Sequence, residues 1–261
     1  MFDEKFKIRV SDFLRQVLEL DAIAFNFTKA NGEGNLNAFL NKLIPNLLRK
    51  RKERRVEVLN YAREAFGIDE SETIVAETFI NEMNILFEKV YFSDSELNQL
   101  SQVIWIRPTK ENIAVFDEIL DSETEITGQE VSVYIRTLLN EYARFPKYKK
   151  EQITFSEECG LTLLARESGR ILKFRYEGEL HRAFVFGCLY DYLEEQGNYV
   201  LCYDMEYGII CRYQISEITA LHLFDKKYTP GKKLSELCRK YLDEGLWLDD
   251  EVYEVGDLCY E

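Results

Sequence analysis

Residues 5–12 read Lys5-Phe6-Lys7-Ile8-Arg9-Val10-Ser11-Asp12, and this stretch decides the fold of the N-terminal part of the chain. Alternate side chains of a strand point to opposite faces. The stretch therefore predicts a strand with the cations Lys5, Lys7 and Arg9 on one face and Phe6, Ile8 and Val10 on the other. The apolar face indicates burial, whereas the cationic face suits either solvent or a polyanion.

Two helices are predicted directly after this strand. Ser11 and Asp12 offer helix N-cap chemistry. The apolar positions that follow have helical spacing and are Phe13, Val17, Leu20 and Ala24. Gly32 and Gly34 break this helix, and Asn35 can cap a second one. The apolar positions of the second helix are Leu36, Phe39, Leu40, Leu43, Leu47 and Leu48.

A short strand with a basic outer face, followed by two helices, resembles the ribbon-helix-helix module. In that family two such units pair their strands, and the polar face of the ribbon lies in a nucleic-acid groove. The resemblance implies that Lys5, Lys7 and Arg9 contact nucleic acid. The alternative is an edge strand whose charges are only solvated.

The same unit is predicted a second time within the chain. Residues 89–94 repeat the character of residues 7–12, and residues 131–139 repeat that of residues 36–44. The offset between the copies grows from 82 (89 minus 7) to 95 (131 minus 36), which predicts an insertion near residues 105–109. Two half-modules, at about 1–63 and 87–150, can pair their strands as an internal pseudo-dimer. Chance likeness of two common patterns is the alternative.

The predicted insertion contains Trp105-Ile106-Arg107-Pro108-Thr109. An aromatic side chain close to a cation can stack on a nucleic-acid base. Burial in the protein core is the commoner role of tryptophan, and we expect it for Trp105.

Basic charge is concentrated near the start of this acidic chain. Residues 1–63 carry 13 Lys and Arg against 8 Asp and Glu, a net of +5, whereas the whole chain has a net charge of −14. The densest group, here called the basic cluster, is predicted at the end of the second helix and consists of Arg49, Lys50, Arg51, Lys52, Arg54 and Arg55. Six cations exceed what complements a helix dipole, so the cluster predicts phosphate contact, with a solvated face as the alternative.

From about residue 155 the pattern changes to a helix followed by five short strands. The helix is predicted at 159–167 and the strands at 171–176, 181–186, 199–204, 208–215 and 220–224. Short, closely spaced strands predict a small, strongly bent barrel. The chain is therefore predicted to be α+β, with a helical domain at 1–150, a barrel at 151–225 and a C-terminal extension at 226–261.

Residues 155–225 resemble the WYL domain, whose core is an Sm-like five-stranded barrel. Asn198-Tyr199-Val200 stands where that family has Trp-Tyr-Leu. Tyr213-Gln214-Ile215-Ser216-Glu217-Ile218 stands where it has Phe-Arg-Leu-Asp-Arg-Ile. The two arginines that face the family's ligand are thus replaced by Gln214 and Glu217, which puts the usual anionic ligand site in doubt.

Other cations of this region can rebuild a nucleic-acid-binding patch. The candidates are Lys173, Arg175, His181, Arg182 and Arg212, with Tyr199, Tyr203 or Tyr213 as a stacking surface. The alternative is that these charges are solvated on the outside of the barrel.

Composition argues against several classes of protein. No apolar run is long enough to cross a membrane and no signal peptide precedes Phe2, so we expect a cytoplasmic protein. The six cysteines have no CxxC spacing and are accompanied by two histidines, so neither a zinc site nor a cofactor is expected. Common catalytic motifs are missing from the sequence, so we expect no enzyme activity; a metal-dependent nuclease is the alternative.

The order of the two domains resembles the WYL accessory proteins found beside type VI-D CRISPR effectors, which are RNA-guided RNA nucleases of antiviral defence. This resemblance implies a non-enzymatic homodimer that binds single-stranded RNA and raises the activity of the effector. The alternative is a regulator of transcription whose ribbon reads duplex DNA and whose WYL domain senses a ligand. The extension at 226–261, with Trp247 and Leu248, predicts a dimer interface or packing onto its own barrel.

Overall fold

The computed structural model describes residues 6–67, 100–127, 130–190, 197–246 and 253–255. Helices and antiparallel strands both occur, so the predicted α+β class is confirmed. The chain forms two compact units, Met1–Phe145 (unit 1) and Pro146–Glu261 (unit 2). Unit 1 is helical with a two-stranded ribbon, and unit 2 carries a six-stranded sheet.

Unit 1 contains the order strand–helix–helix twice. The first set is β1 (Phe6–Val10), α1 (Asp12–Ala24) and α2 (Leu36–Phe66). The second set is β2 (Gln102–Ile106), α3 (Lys110–Thr127) and α4 (Val131–Ala143). The strands are offset by 96 residues (102 minus 6), the first helices by 98 (110 minus 12) and the last helices by 95 (131 minus 36), so the starts of corresponding elements agree to within three residues.

The predicted internal ribbon forms, but with a different partner strand. β1 pairs antiparallel with β2, in a register that places Phe6 opposite Ile106 and Val10 opposite Gln102. Of the stretch expected as an insertion, residues 105 and 106 complete the second strand, and residues 107–109 form a connection to α3 that is two residues longer than the one between β1 and α1. Residues 89–94, which the sequence aligned with the first strand through Lys89 and Tyr91, lie outside the described residues.

One face of the ribbon belongs to the core of unit 1. Ile8, Val10, Ile104 and Ile106 are all buried. They alternate with residues of the other face, as the pleat of a strand requires. The predicted period of two is confirmed for β1, and the ribbon presents a single open face.

Helix α1 begins as predicted but buries a different stripe. The backbone N–H of Leu14 donates to the Ser11 Oγ at 3.2 Å, which confirms the cap. Leu14 and Leu18 are fully buried, whereas Phe13 and Leu20 are 64% and 66% exposed, so the predicted stripe is wrong. The helix is apolar on two sides, and the side that carries Leu14 and Leu18 faces the core.

Helix α2 extends well beyond its predicted end. Asn35 caps it, with the Ala38 N–H donating to the Asn35 Oδ1 at 3.2 Å. The helix is 31 residues long and ends at Gly67, whose φ of 64° is a left-handed conformation that glycine adopts without strain. The basic cluster consequently lies inside the helix and not at its C-terminus, since Arg, Lys and Glu are strong helix formers.

A buried asparagine in α2 holds the second strand in place. The Asn41 side-chain amide donates to the Arg107 carbonyl at 2.9 Å, and its Oδ1 accepts from the Thr109 N–H at 2.9 Å. Four residues later Pro45 has no N–H to donate to the Asn41 carbonyl. The Asn112 side-chain amide supplies that bond instead, at 2.7 Å. Asn41 therefore fixes the end of β2 and the start of α3 against α2.

Unit 2 begins with two helices and continues as a sheet. The helices are α5 (Lys147–Thr154) and α6 (Ser156–Ser168). The strands are β3 (Arg170–Tyr176), β4 (Glu179–Tyr190), β5 (Asn198–Asp204), β6 (Ile209–Gln214), β7 (Thr219–Lys227) and β8 (Tyr253–Glu254), and a 3₁₀ turn (Ile215–Glu217) separates β6 from β7. All five strands that the sequence predicted are formed.

The sheet of unit 2 is open rather than closed into a barrel. Its strand order is β7-β3-β4-β5-β6-β8, and every pairing is antiparallel. Among the described residues the edge strands do not pair with each other, which corrects the prediction of a closed barrel. The 3₁₀ turn leads from β6, the neighbour of the edge strand β8, to β7 at the opposite edge, where β7 pairs with β3.

The last helix, α7 (Lys232–Asp243), packs on one face of this sheet. Its Leu234, Cys238 and Tyr241 join a buried cluster with the sheet residues Tyr203 and Ile210. The described part of the C-terminal extension thus completes the core of its own unit, the second of the two roles that the sequence left open. Trp247 and Leu248 lie outside the described residues.

A fully buried carboxylate joins α5 to the sheet. The Glu151 Oε2 accepts from the backbone and side-chain N–H groups of Asn198, at 2.6 and 2.8 Å. Its Oε1 accepts from the Ser216 N–H at 3.1 Å and from the Gln214 amide at 3.3 Å. Because a buried charge is costly without partners, these four donors explain how Glu151 is accommodated.

Asn41→Ala tests how much the ribbon depends on α2. We expect the free energy of unfolding to fall by at least about 2 kcal/mol, because the Thr109 N–H and the Arg107 carbonyl lose their partner. Denaturant unfolding followed by circular dichroism measures the change. Asn60→Ala, on an exposed position of the same helix, is the matched control and should stay within about 0.5 kcal/mol of wild type. Equal losses in the two variants would contradict the role of Asn41.

Candidate nucleic-acid interface

The open face of the ribbon combines cations with apolar groups. The register places Lys7 opposite Trp105 and Arg9 opposite Val103, and directly opposed residues share one face of an antiparallel pair. Trp105 is 55% exposed, so the expected burial of this side chain is wrong. The Lys7 Nζ lies 6.0 Å from the centre of the Trp105 ring. Lys5 lies outside the described residues.

Two further arginines hold the ribbon backbone. The Arg15 Nη1 donates to the Gln102 side chain at 3.2 Å and to the Val103 carbonyl at 3.4 Å. The Arg136 Nη1 donates to the Arg9 carbonyl at 3.4 Å. Burial lowers the pKa of Arg136, although an arginine remains protonated at neutral pH. These two cations thus support the ribbon from α1 and α4, whereas Lys7 and Arg9 are exposed.

The two strands of the ribbon carry different chemistry at corresponding positions. With the offset of 96 residues, Lys7 corresponds to Val103 and Arg9 corresponds to Trp105. The cations are therefore confined to one strand, and the large aromatic group to the other. A two-fold symmetric contact, of the kind that a palindromic duplex offers, would find different groups on its two sides.

The basic cluster occupies a separate part of unit 1. At about 1.5 Å per residue, positions 49–55 lie about 12–21 Å along the α2 axis from Asn41. The Arg51 Nη1 lies 3.2 Å from the Glu141 Oε2, and the Arg54 Nη1 lies 3.6 Å from the Glu141 Oε1. Part of the cluster therefore joins α2 to α4, while Arg49, Lys52 and Arg54 are exposed.

The cationic residues predicted in unit 2 do not all lie on one face of the sheet. Lys173 and Arg182 are opposite each other on β3 and β4, whereas His181 lies opposite Phe174 and so on the other face. Arg182 pairs with Glu206, and Arg175 donates to the Gly178 carbonyl at 2.7 Å.

Tyr199 and Arg212, two of the site residues that the sequence predicted, lie close together. The Arg212 guanidinium lies 4.4 Å from the centre of the Tyr199 ring. Tyr199 is nevertheless buried in the cluster beneath α7. Its ring is therefore covered by the protein and does not present a free stacking face.

His181 belongs to a buried polar group that sequence reasoning missed. Its Nδ1 lies 2.6 Å from the Asp204 Oδ2, which also accepts a hydrogen bond from the Tyr213 hydroxyl at 2.6 Å. The His181 ring stacks on Phe174 at 5.3 Å between ring centres. Asp204 is fully buried. The register across β3, β4, β5 and β6 brings these residues together. The sequence alone does not reveal this register, so it gives no sign that they are neighbours.

Burial governs the ionisation of several groups in this sheet. It raises the pKa of Tyr213, with further contributions from Cys211 and from the hydrogen bond to Asp204. It also raises the pKa of the Cys202 and Cys188 thiols. These cysteines are therefore held as neutral thiols, and the described residues contain no group of three side chains able to hold a metal ion.

No protein-family model matches the chain, and no curated protein matches it. A crystal structure described as a CRISPR Cas-related protein matches it with a TM-score of 0.61 at 11% sequence identity, and the match covers 88% of this chain and 65% of that chain. At this identity the likeness shows a shared fold alone. This chain spans 65% of the length of its neighbour.

A second solved structure is a weaker match. The proteasome accessory factor B/C of Arthrobacter aurescens aligns over 87% of this chain and 35% of its own at 14% identity. The TM-score of this match is only 0.28. Within the described ranges, the helices are too short or too polar to cross a bilayer.

The raised pKa of Tyr213 predicts a loss of stability in alkali. The pKa of a tyrosine in the unfolded chain is about 10. The stability that the protonated, buried phenol supplies is complete below that pH and is lost as the pH rises toward the higher pKa of the folded state. We therefore expect a shallower fall of the free energy of unfolding above about pH 10 in Tyr213→Phe than in wild type.

Urea titrations at a series of pH values measure this slope. Tyr207→Phe removes a hydroxyl from an exposed tyrosine of the same unit and is the matched control. It should retain the wild-type slope. Identical slopes for wild type and Tyr213→Phe would contradict the assignment.

Proposed function

We propose that this protein is an accessory factor of a CRISPR system that binds single-stranded RNA and raises the activity of a type VI-D RNA-guided RNA nuclease. The observation that carries the RNA part is the open face of the ribbon, where Lys7 and Arg9 stand beside the exposed Trp105. The fold shared with a CRISPR Cas-related protein supports the association with such a system.

The chemistry of this face favours a polyanion with accessible bases. Lys7 and Arg9 suit phosphate groups, which supply most of the affinity for nucleic acids. Trp105 suits a base face, and unpaired bases expose their faces whereas paired bases in a duplex present only edges. The combination therefore supports single-stranded RNA over duplex DNA.

The basic cluster is proposed as a second phosphate contact. Arg49, Lys52 and Arg54 are exposed on α2, in a unit that carries the positive part of an acidic chain. In unit 2, Lys173, Arg175, Arg182 and Arg212 remain proposed as weaker contacts, whereas His181 and Tyr199 are buried. Burial leaves these two side chains a positioning role within the sheet.

A duplex-DNA-binding regulator of transcription is the second candidate. The specific observation that favours it is the antiparallel ribbon with Lys7 and Arg9 on its open face, a form that can enter the major groove. The unequal chemistry of the two strands weighs against symmetric readout of a palindrome.

Titrations of equal-length single-stranded RNA and duplex DNA decide between the two candidates. We expect tighter binding of the RNA, with an affinity that falls steeply as salt rises. Lys7→Ala combined with Arg9→Ala should weaken RNA binding and reduce the salt slope by about 1–2. Preferential binding of the duplex would contradict the RNA assignment.

Neutralising the exposed part of the basic cluster tests the second contact. Arg49→Gln with Lys52→Gln should weaken RNA binding across sequences and lower the salt slope, because binding with fewer phosphate contacts releases fewer counterions. Lys232→Gln with Lys233→Gln, on exposed positions of α7, is the matched control and should bind as wild type. Unchanged binding by the first variant would remove the cluster from the interface.

Self-association is part of the proposal. The strands of the ribbon already pair with each other within one chain, which favours a dimer interface elsewhere in the chain. Light scattering of the full chain should give twice the mass of 30.8 kDa. In a cleavage assay, addition of the protein should raise the rate at which the RNA-guided nuclease cuts its target. A monomer contradicts the dimer, and an unchanged rate contradicts the accessory role.

A further inference from the structure

We propose that Trp105 is the base-stacking residue of the ribbon and takes one unpaired base of a single-stranded RNA on its indole ring. This inference rests on the proposed function and specifies which side chain distinguishes single strands from duplexes. It starts from an exposed tryptophan on a strand whose neighbours, Ile104 and Ile106, are buried.

The backbone at Trp105 is held in place by the strand that carries it. Ile104 and Ile106 anchor β2 on either side of Trp105 in the core. One residue further on, the Arg107 N–H donates to the Asn37 Oδ1 at 2.9 Å, and the Arg107 carbonyl accepts from Asn41 at 2.9 Å. A side chain held on such a strand loses little freedom when a ring stacks on it, which is the condition for a productive platform.

The surroundings of Trp105 indicate the class of partner. Lys7 lies directly opposite, with its Nζ 6.0 Å from the ring centre, and Arg9 lies diagonally across the same face. A base that stacks on the indole therefore has cations close to where its adjoining phosphates must run. A protein partner would have to cover Lys7 and Arg9 as well, and lysine is depleted at the cores of protein interfaces.

Stacking also separates single strands from duplexes at this face. In a duplex each base face is covered by the next base pair, and only polar edges are reachable in the grooves. Trp105 and Val103, which make up the β2 side of this face, offer few groups that can read such edges. The β2 side is therefore suited to a base face and the β1 side to phosphates.

Fluorescence provides a direct test, because the chain has two tryptophans. Trp247→Phe leaves Trp105 as the only source of tryptophan emission. We expect single-stranded RNA to quench this emission, and an abasic strand of the same length to leave it nearly unchanged. Equal quenching by both strands would overturn the proposal, since it would report charge and not stacking.

Affinity measurements give the second arm of the test. Trp105→Ala should weaken binding of single-stranded RNA by about 5-fold to 150-fold, as expected for one stacked base, and leave the salt slope unchanged. Trp105→Phe, which keeps a ring, should retain most of the affinity. Binding of the abasic strand by the alanine variant tests whether that variant is folded. Binding of the abasic strand should be almost the same in all three proteins.

The outcomes separate this inference from the proposed function. If Trp105→Ala binds single-stranded RNA as well as wild type while the Lys7→Ala, Arg9→Ala variant is weakened, the stacking role is wrong and RNA binding stands. If Trp105→Ala weakens duplex and single-stranded RNA by equal factors, stacking of an unpaired base is likewise wrong. If wild type binds no RNA, the proposed function fails together with the inference.

Discussion

The ribbon of unit 1 depends on the side chain of Asn41. Pro45 leaves the Asn41 carbonyl without its helical partner, and the Asn112 amide fills that position at 2.7 Å. The Asn41 side chain in turn donates to the Arg107 carbonyl and accepts from the Thr109 N–H, directly after β2. A proline in a helix would ordinarily weaken it; here the carbonyl that it frees accepts a bond from the second strand–helix–helix set. The same hydrogen bonds thus fix both the packing of the two strand–helix–helix sets and the position of the ribbon.

This constraint explains why the open face is well defined although only two strands form it. An isolated pair of strands is marginal in water. β1 and β2 are held from below by buried Ile8, Val10, Ile104 and Ile106, and at their ends by Arg15, Arg136 and Asn41. None of these supports is a side chain of the open face. The chemistry of that face is therefore informative about function.

Local signals in the sequence predicted individual elements correctly. The alternation at residues 6–10, the caps at Ser11 and Asn35 and the five strands of unit 2 each depend on near neighbours in the chain. The buried side of α1 could not be decided in the same way, because Phe13 and Leu14 begin two apolar stripes of similar strength. Which stripe faces the core depends on helices and strands that are distant in sequence.

The partner strand and the buried polar group show the same limit. β2 reads Val103-Ile104-Trp105-Ile106, an unbroken apolar run, because its open face is itself apolar. The alternation of polar and apolar residues that reveals β1 is therefore missing from β2. Residues 89–94 resemble the sequence of β1 more closely than β2 does. His181 and Asp204 meet only through the register of neighbouring strands. Residues far apart in sequence need the pairing itself, and no local pattern encodes it.

The proposed binding of RNA by an acidic chain faces a specific electrostatic difficulty. With a net charge of −14, long-range attraction cannot bring RNA to the whole molecule. Screening limits the reach of each exposed charge to about 8 Å at physiological ionic strength, so only local groups count. The cations of β1 then contribute modestly to RNA affinity, and an uncharged contact contributes a larger share of it. A ribbon that divides its open face between Lys7 and Arg9 on one strand and Trp105 on the other meets this condition, since stacking is not weakened by the acidic remainder of the chain.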